Sequence, residues 1–271
     1  MDEPVLRLRG ASKRFGAVQA LQGVDLDVHA GEVIALVGDN GAGKSTLIKG
    51  IAGVQPFDGG TIEVGGRAAR ITSPQQATAL GVATIYQDLA LCDNLDVVAN
   101  LFLGHEPLHL ARLDETSMEK RAHGLLAQLS VRIPSVRTRV ASLSGGQRQS
   151  VAIARSLIGE PTVVLLDEPT AALGVEQTAQ VLQLVTRLRE RGLAVLLISH
   201  NLADVFAVSD RIEVLRLGAN GGSFRTAEAR NEDVVAAITG ATEERLGQAL
   251  AEAKAAHAET AHAETVGEAD R

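Results

Sequence analysis

Apolar residues recur along this chain at three rhythms, and each rhythm predicts a different kind of element. Val24-Asp25-Leu26-Asp27-Val28 alternates apolar with acidic at period two, which predicts a strand with one buried face. Thr61-Ile62-Glu63-Val64 resumes that rhythm after the turn signal Asp58-Gly59-Gly60, and residues 5–37 as a whole read as short strands joined by turns. Val33–Val37, Val163–Leu166 and residues 194–198 are continuous apolar runs, as expected of strands covered on both faces. Helical spacing fills much of the rest. Ser73-Pro74 opens a short helix ending near Gly81, and residues 89–158 carry helical patterns with no strong strand. Within them, residues 114–129 are amphipathic, with Leu125, Leu126 and Leu129 on one face. Gln147–Ile158 gathers Val151, Ile153, Ala154 and Leu157 on an apolar side. Beyond Asp167 come a helix over 175–191 stopped by Gly192, the strand 194–198, a helix near 202–208 and a strand over 211–215. Alternation of strand and helix implies an α/β protein with a parallel sheet.

Two of the buried runs end in chemistry. Val33–Val37 leads directly into Gly38-Asp39-Asn40-Gly41-Ala42-Gly43-Lys44-Ser45, which fits the P-loop pattern G-x-x-x-x-G-K-[ST]. The glycines let the backbone curl with successive N–H groups turned inward, an anion nest. Lys44 can then reach the β- and γ-phosphates of a nucleotide, and the Ser45 hydroxyl can ligate Mg²⁺. From Thr46 the chain continues as a helix whose N-terminus favours anions. Val163–Leu166 ends in Asp167-Glu168, at the sheet edge where ligands of open α/β sheets collect. Asp167 is placed to hold Mg²⁺, and Glu168 to accept a proton from an attacking water.

A third segment, Leu143-Ser144-Gly145-Gly146-Gln147, is a second anion-binding helix start: Ser144 is a good N-cap and the two glycines leave backbone N–H groups open. One nucleotide does not need two such cradles from one subunit. With these three motifs in this order, residues 5–240 resemble the ATP-binding cassette (ABC) ATPases, whose signature is LSGGQ. The resemblance implies a P-loop fold with a RecA-like parallel core, an N-terminal antiparallel β subdomain and a helical subdomain inserted at about 89–158. It implies ATP and Mg²⁺ as ligands, and a head-to-tail homodimer in which Ser144, Gly145, Gly146 and Gln147 of one copy close over ATP held by the other. It also assigns roles to single residues. Phe15 would stack on adenine, with core packing as the alternative in so aromatic-poor a chain; Gln87 would be the Q-loop residue sensing Mg²⁺ and water; His200 would contact the γ-phosphate. One position departs from the general pattern: Gly174 stands where the family usually places an Asp.

The segments Tyr86–Leu91 and Pro169–Val175 look like those of bacterial importers of the ribose, xylose and fructose type, in which Gly174 is not unusual. The resemblance then implies an ATPase coupled to membrane permease subunits and, through them, to an extracytoplasmic sugar-binding protein. Residues 87–104, with Leu91, Leu95, Val98, Leu101 and Phe102, are a candidate permease dock, the alternative being a plain core helix. A soluble ABC ATPase acting on the ribosome or on nucleic acid is the competing reading.

Composition bears on the choice. The net charge of −7 argues against broad nucleic-acid binding. No apolar run approaches the length of a membrane span, the first residues lack a signal-peptide pattern, and Cys92 is the one cysteine. A cytoplasmic protein, peripheral to the inner membrane, is expected. Residues 241–271 carry seven acidic and three basic residues with few large apolar ones, and repeat Ala-His-Ala-Glu-Thr at 256–260 and 261–265. Such a tail reads as disordered or a fraying helix.

Overall fold

The computed structural model describes residues 3–109 and 112–240. The tail 241–271 lies outside the described residues. Two sheets organise the chain. The first is antiparallel and combines β1 (Leu6–Phe15), β2 (Val18–Val28), β4 (Gly59–Val64) and β5 (Arg67–Ala69) in the order β2-β1-β4-β5. Its first two members are longer than the short strands expected over 5–37. They form one hairpin, with register shifts along β1 that let ten residues pair with eleven. The Val24–Val28 alternation holds: Val24, Leu26 and Val28 are buried, while Asp27 faces outward between Arg7 and Arg9.

The second sheet has six strands: β3 (Val33–Val37), β6 (Val82–Ile85), β9 (Val163–Asp167), β10 (Ala194–Ile198), β11 (Arg211–Arg216) and β12 (Ala219–Arg225), ordered β12-β11-β3-β10-β9-β6. All neighbours are parallel except β12, which returns antiparallel from β11. The buried runs alternate between two cores. Ile34, Leu36, Val163 and Leu165 pack with the antiparallel sheet and with α1 (Lys44–Ile51). Val164, Leu166, Val195 and Leu197 face the helices on the other side. Those helices are α3 (Val97–Phe102), α4 (Glu115–Gln128), α5 (Gly145–Ser156) and α6 (Val175–Glu190). A third core joins Ala35, Val37, Ile212 and Val214 to α7 (Leu202–Val208) and α8 (Asn231–Thr239).

Helix starts follow their local chemistry. Ser73 caps α2 (Pro74–Ala79), Asp96 caps α3, and Asp114 caps α4, each side chain accepting a backbone N–H of the first turn. The buried face of α4 is Met118, Ala122 and Leu126, with Leu129 buried just beyond its end; Leu125, expected on that face, is only half-buried. Within 89–158 a two-residue pair, β7 (Leu108–His109) with β8 (Arg112–Leu113), interrupts the helices. No helix among the described residues is long and apolar enough to cross a membrane.

Candidate functional site

Register places the reactive residues together. In the parallel sheet, Leu36 of β3 pairs with Ile198 of β10, Ile198 pairs with Asp167 of β9, and Leu166 pairs with Ile85 of β6. The P-loop, His200, Glu168 and Gln87 therefore all leave the sheet at the carboxyl ends of four adjacent strands. The sequence spreads these residues from position 38 to position 200; the strand order brings them to one rim.

The P-loop is held tightly. Lys44 Nζ donates to the carbonyls of Gly38 at 2.6 Å and Asp39 at 2.9 Å, which curls the loop over its own lysine. Two glycines are obligatory. A Cβ on Gly38 would sit on the carbonyl oxygen of Leu215, and one on Gly43 would lie 2.7 Å from that of Ala20, both at positive φ. Gly43 is also the N-cap of α1 and offers no side chain, so the first N–H groups of α1 keep no side-chain acceptor. Burial lowers the pKa of Lys44, while Glu168, Asp39 and Asp167 pull it back up. Asp39, Asn40, Gly41 and Ser45 are exposed, and Thr46 is half-buried.

Across from the loop, burial raises the pKa of Asp167, and the Glu168 charge raises it further; Lys49 and Lys44 oppose both. Glu168 itself has φ +50°, a conformation uncommon for a non-glycine residue, and its N–H is held by the Ile198 carbonyl at 3.0 Å. That turn brings its carboxylate Oε1 to 3.3 Å from His200 Nδ1. The imidazole is otherwise two-thirds exposed. Gln87, two residues beyond β6, is exposed one strand over from Asp167. The oxygens of Ser45, Asp167 and Gln87 are hard donors of the kind Mg²⁺ takes. Among the described residues no group of three or more His, Cys, Asp or Glu gathers to hold a metal unaided, so phosphate oxygens would have to complete its shell.

Phe15 is 43% exposed at the tip of the β1–β2 hairpin, with Lys13 Nζ 5.6 Å from its ring centre, so the core-packing alternative does not hold. The segment 143–147 is elsewhere. Among the described residues no hydrogen bond or ion pair joins it to the P-loop. Ser144 and Gln147 form a reciprocal capping box, Ser144 N donating to Gln147 Oε1 at 3.0 Å and Gln147 N to Ser144 Oγ at 3.3 Å. Gln147 Nε2 donates in turn to the Arg132 carbonyl at 3.1 Å, so this side chain is engaged locally. Gly145 and Gly146 lie against Leu173 and Gln177, where a Cβ would come within 3.0 Å and 3.1 Å of side-chain carbons.

The candidate dock over 87–104 is corrected in its main part. Val98, Leu101 and Phe102 are buried in the core beneath the helices, and Leu91 and Leu95 are half-buried. The helical spacing was right, but α4 and α5 cover the face that sequence left open. Two residues at the rim are absent from the sequence-derived site: Thr170, which lies within the Pro169–Val175 segment and whose Oγ1 donates to Asp204 Oδ2 at 2.7 Å, and Asp204, an acid within an apolar seven-residue helix. Only the topology brings them together.

Comparison with known proteins agrees with this geometry. The family model described as ABC transporter matches residues 21–171. The chain is 44% identical over 250 residues to the fructose import ATP-binding protein FrcA of Rhizobium meliloti, covering 89% of this chain and 96% of that protein. It is 46% identical to the xylose/arabinose import ATP-binding protein XylG of Sulfolobus acidocaldarius over 79% of this chain and 85% of that one. It is 40% identical to the ribose import ATP-binding protein RbsA of Jannaschia sp. over 88% of this chain, but spans only 46% of that protein. Among solved structures, MJ1267, an ATP-binding cassette of an ABC transporter, superposes with a TM-score of 0.77 at 26% identity, covering 87% of this chain and 99% of that one.

Proposed function

The chain belongs to the ABC transporter family as an ATP-hydrolysing, nucleotide-binding subunit, and we propose that two copies of it, facing head to tail, power the import of a monosaccharide. In each pocket the backbone of residues 38–43 and the Lys44 ammonium hold the phosphates, Thr46 lies beside them at the start of α1, and Phe15 stacks on adenine. Ser45, Asp167 and Gln87 hold Mg²⁺, which when bound offsets charge on the terminal phosphate oxygens. Glu168 takes a proton from water as the water oxygen bonds to the γ-phosphorus and the bond to ADP breaks. His200 orients the γ-phosphate by hydrogen bonding. Ser144, Gly145 and Gly146 of the partner subunit cover the phosphates, with the partner's Gln147 holding that helix start in shape.

The observation that carries this reading is the gathering of Lys44, Asp167, Glu168 and His200 on one rim, with no hydrogen bond or ion pair among the described residues from 143–147 to their own P-loop. This separation supports a pocket completed by a second copy rather than within one subunit. Import of a sugar is supported by relatives that are themselves sugar import proteins. The subunit would sit at the cytoplasmic face of the membrane, against a permease served by an extracytoplasmic sugar-binding protein. The test is hydrolysis by the chain assembled with its permease and binding protein in vesicles. One monosaccharide in a panel of sugars and amino acids should stimulate ATP turnover several-fold; stimulation by an amino acid, or by no sugar, overturns the sugar reading.

A further inference from the structure

We infer that Asp204 is a positioning residue, a buried carboxylate that clamps the loop carrying Glu168 to the loop carrying His200. The inference rests on the reading of those two side chains as the hydrolytic pair. Asp204 is only 7% exposed, and each of its oxygens takes a hydrogen bond from a different loop. Oδ2 accepts from Thr170 Oγ1 at 2.7 Å, two residues beyond Glu168. Oδ1 accepts from Asn201 Nδ2 at 3.1 Å, the residue directly after His200. Both donors are neutral, and the favourable charge environment of this buried carboxylate comes from its place in the first turn of α7, where a helix N-terminus suits an anion.

The two loops need such a fastening. Glu168 is held at φ +50°, and Ala171 N closes back on its carbonyl at 3.1 Å, so the backbone between them is a tight turn leading to Thr170. On the other side the His200 ring is two-thirds exposed and meets Glu168 at 3.3 Å, so its place depends on the backbone that bears it. That backbone is secured on both flanks. Asn201 N donates to Ser199 Oγ at 3.1 Å, and Asn201 Oδ1 accepts the N–H of Ala203 at 3.0 Å, leaving its Nδ2 to reach Asp204. Thr170, Asp204 and Asn201 thus form one chain of hydrogen bonds joining the turn that follows Glu168 to the residue that follows His200. Release of either end lets the two side chains drift, and a displacement of about 1 Å at a reacting centre costs on the order of 100-fold in rate.

The experiment measures kcat, KM and ATP affinity for Asp204→Ala, Thr170→Val, Thr170→Ser and the double variant, with thermal melts for each and Glu168→Gln as reference. Asp204→Ala and Thr170→Val should each lower kcat by about 10- to 100-fold, with KM and ATP affinity within about twofold. The double variant should be no slower than the poorer single one, and Thr170→Ser, which keeps the hydroxyl, should restore most of the rate lost in Thr170→Val. Near-normal kcat in Thr170→Val, losses that multiply in the double variant, or a KM that rises as kcat falls would overturn the clamp. Thr170→Val keeps the side-chain shape and decides the matter even if Asp204→Ala does not fold. If Glu168→Gln also turns over normally, the underlying pairing with His200 fails and the clamp fails with it; normal loss in Glu168→Gln beside intact Thr170→Val removes the clamp alone.

Discussion

Replacing Glu168 with Gln isolates proton transfer from everything else this residue does. The backbone at 168 keeps its bond to the Ile198 carbonyl, because that bond uses the main-chain N–H. The side chain loses one contact, to an imidazole that is two-thirds exposed, and such an exposed pair is worth at most about 1 kcal/mol. Folding should therefore be nearly unchanged. The Glu168 charge raises the pKa of Asp167 and supports that of Lys44, so its removal leaves Asp167 a better anion and Lys44 a somewhat weaker cation, and Mg²⁺·ATP binding should be retained. Turnover should instead fall by about 10²- to 10⁴-fold, the value of a positioned general base, which is about 2.7–5.4 kcal/mol of barrier. Phosphate release under saturating Mg²⁺·ATP measures the rate, and light scattering after size-exclusion measures the ATP-bound dimer that should accumulate. Turnover within tenfold of the parent, or ATP affinity lost along with the rate, would refute the assignment of Glu168 as base rather than binder.

Asp167→Asn should show the opposite pattern, with binding lost and apo stability kept. The folded-state pKa of Asp167 is raised, chiefly by burial, so its favourable contribution is present below about pH 4 and is lost as pH rises through the elevated value. The apo variant should melt at or above the parent at pH 7 and level with it near pH 4, while Mg²⁺·ATP no longer raises its Tm; a lower apo Tm at pH 7 would contradict this. Phe15→Ala removes a stacking surface that lies open to solvent, and should weaken ATP about fivefold or more with a melt shifted little. Equal affinities in equilibrium titration would remove Phe15 from the pocket. Leu101→Ala empties a fully buried position and should cost about 2–5 kcal/mol in a denaturant titration. A stable variant that hydrolyses ATP normally yet no longer responds to the permease would restore the docking role.

The elements with the strongest rhythm were the most legible. Val33–Val37, Val163–Asp167 and Ala194–Ile198 are strands as their apolar runs predict, and α6 ends at Glu190, one residue short of the expected helix end. β12 and α8 went unread because Ala219–Arg225 is rich in glycine and polar residues and pairs only because β11 offers it an edge. The dock failed for a related reason: Val98, Leu101 and Phe102 are apolar whether they face a partner or a core, and only the packing of α4 and α5 decides. At the site, Lys44, Asp167 and Glu168 were evident from local pattern. The 3.3 Å approach of His200 to Glu168 needed the register of β10 on β9, and the bridge through Asp204 needed α7 in place as well.

The reciprocal Ser144–Gln147 cap acts as a folding instruction for the start of α5. The segment takes that shape from its own side chains. If it covers a partner's nucleotide as proposed, association would have little local ordering entropy to overcome at this surface. Damage at position 144 or 147 would then unravel a helix start first and weaken the proposed recognition as its result.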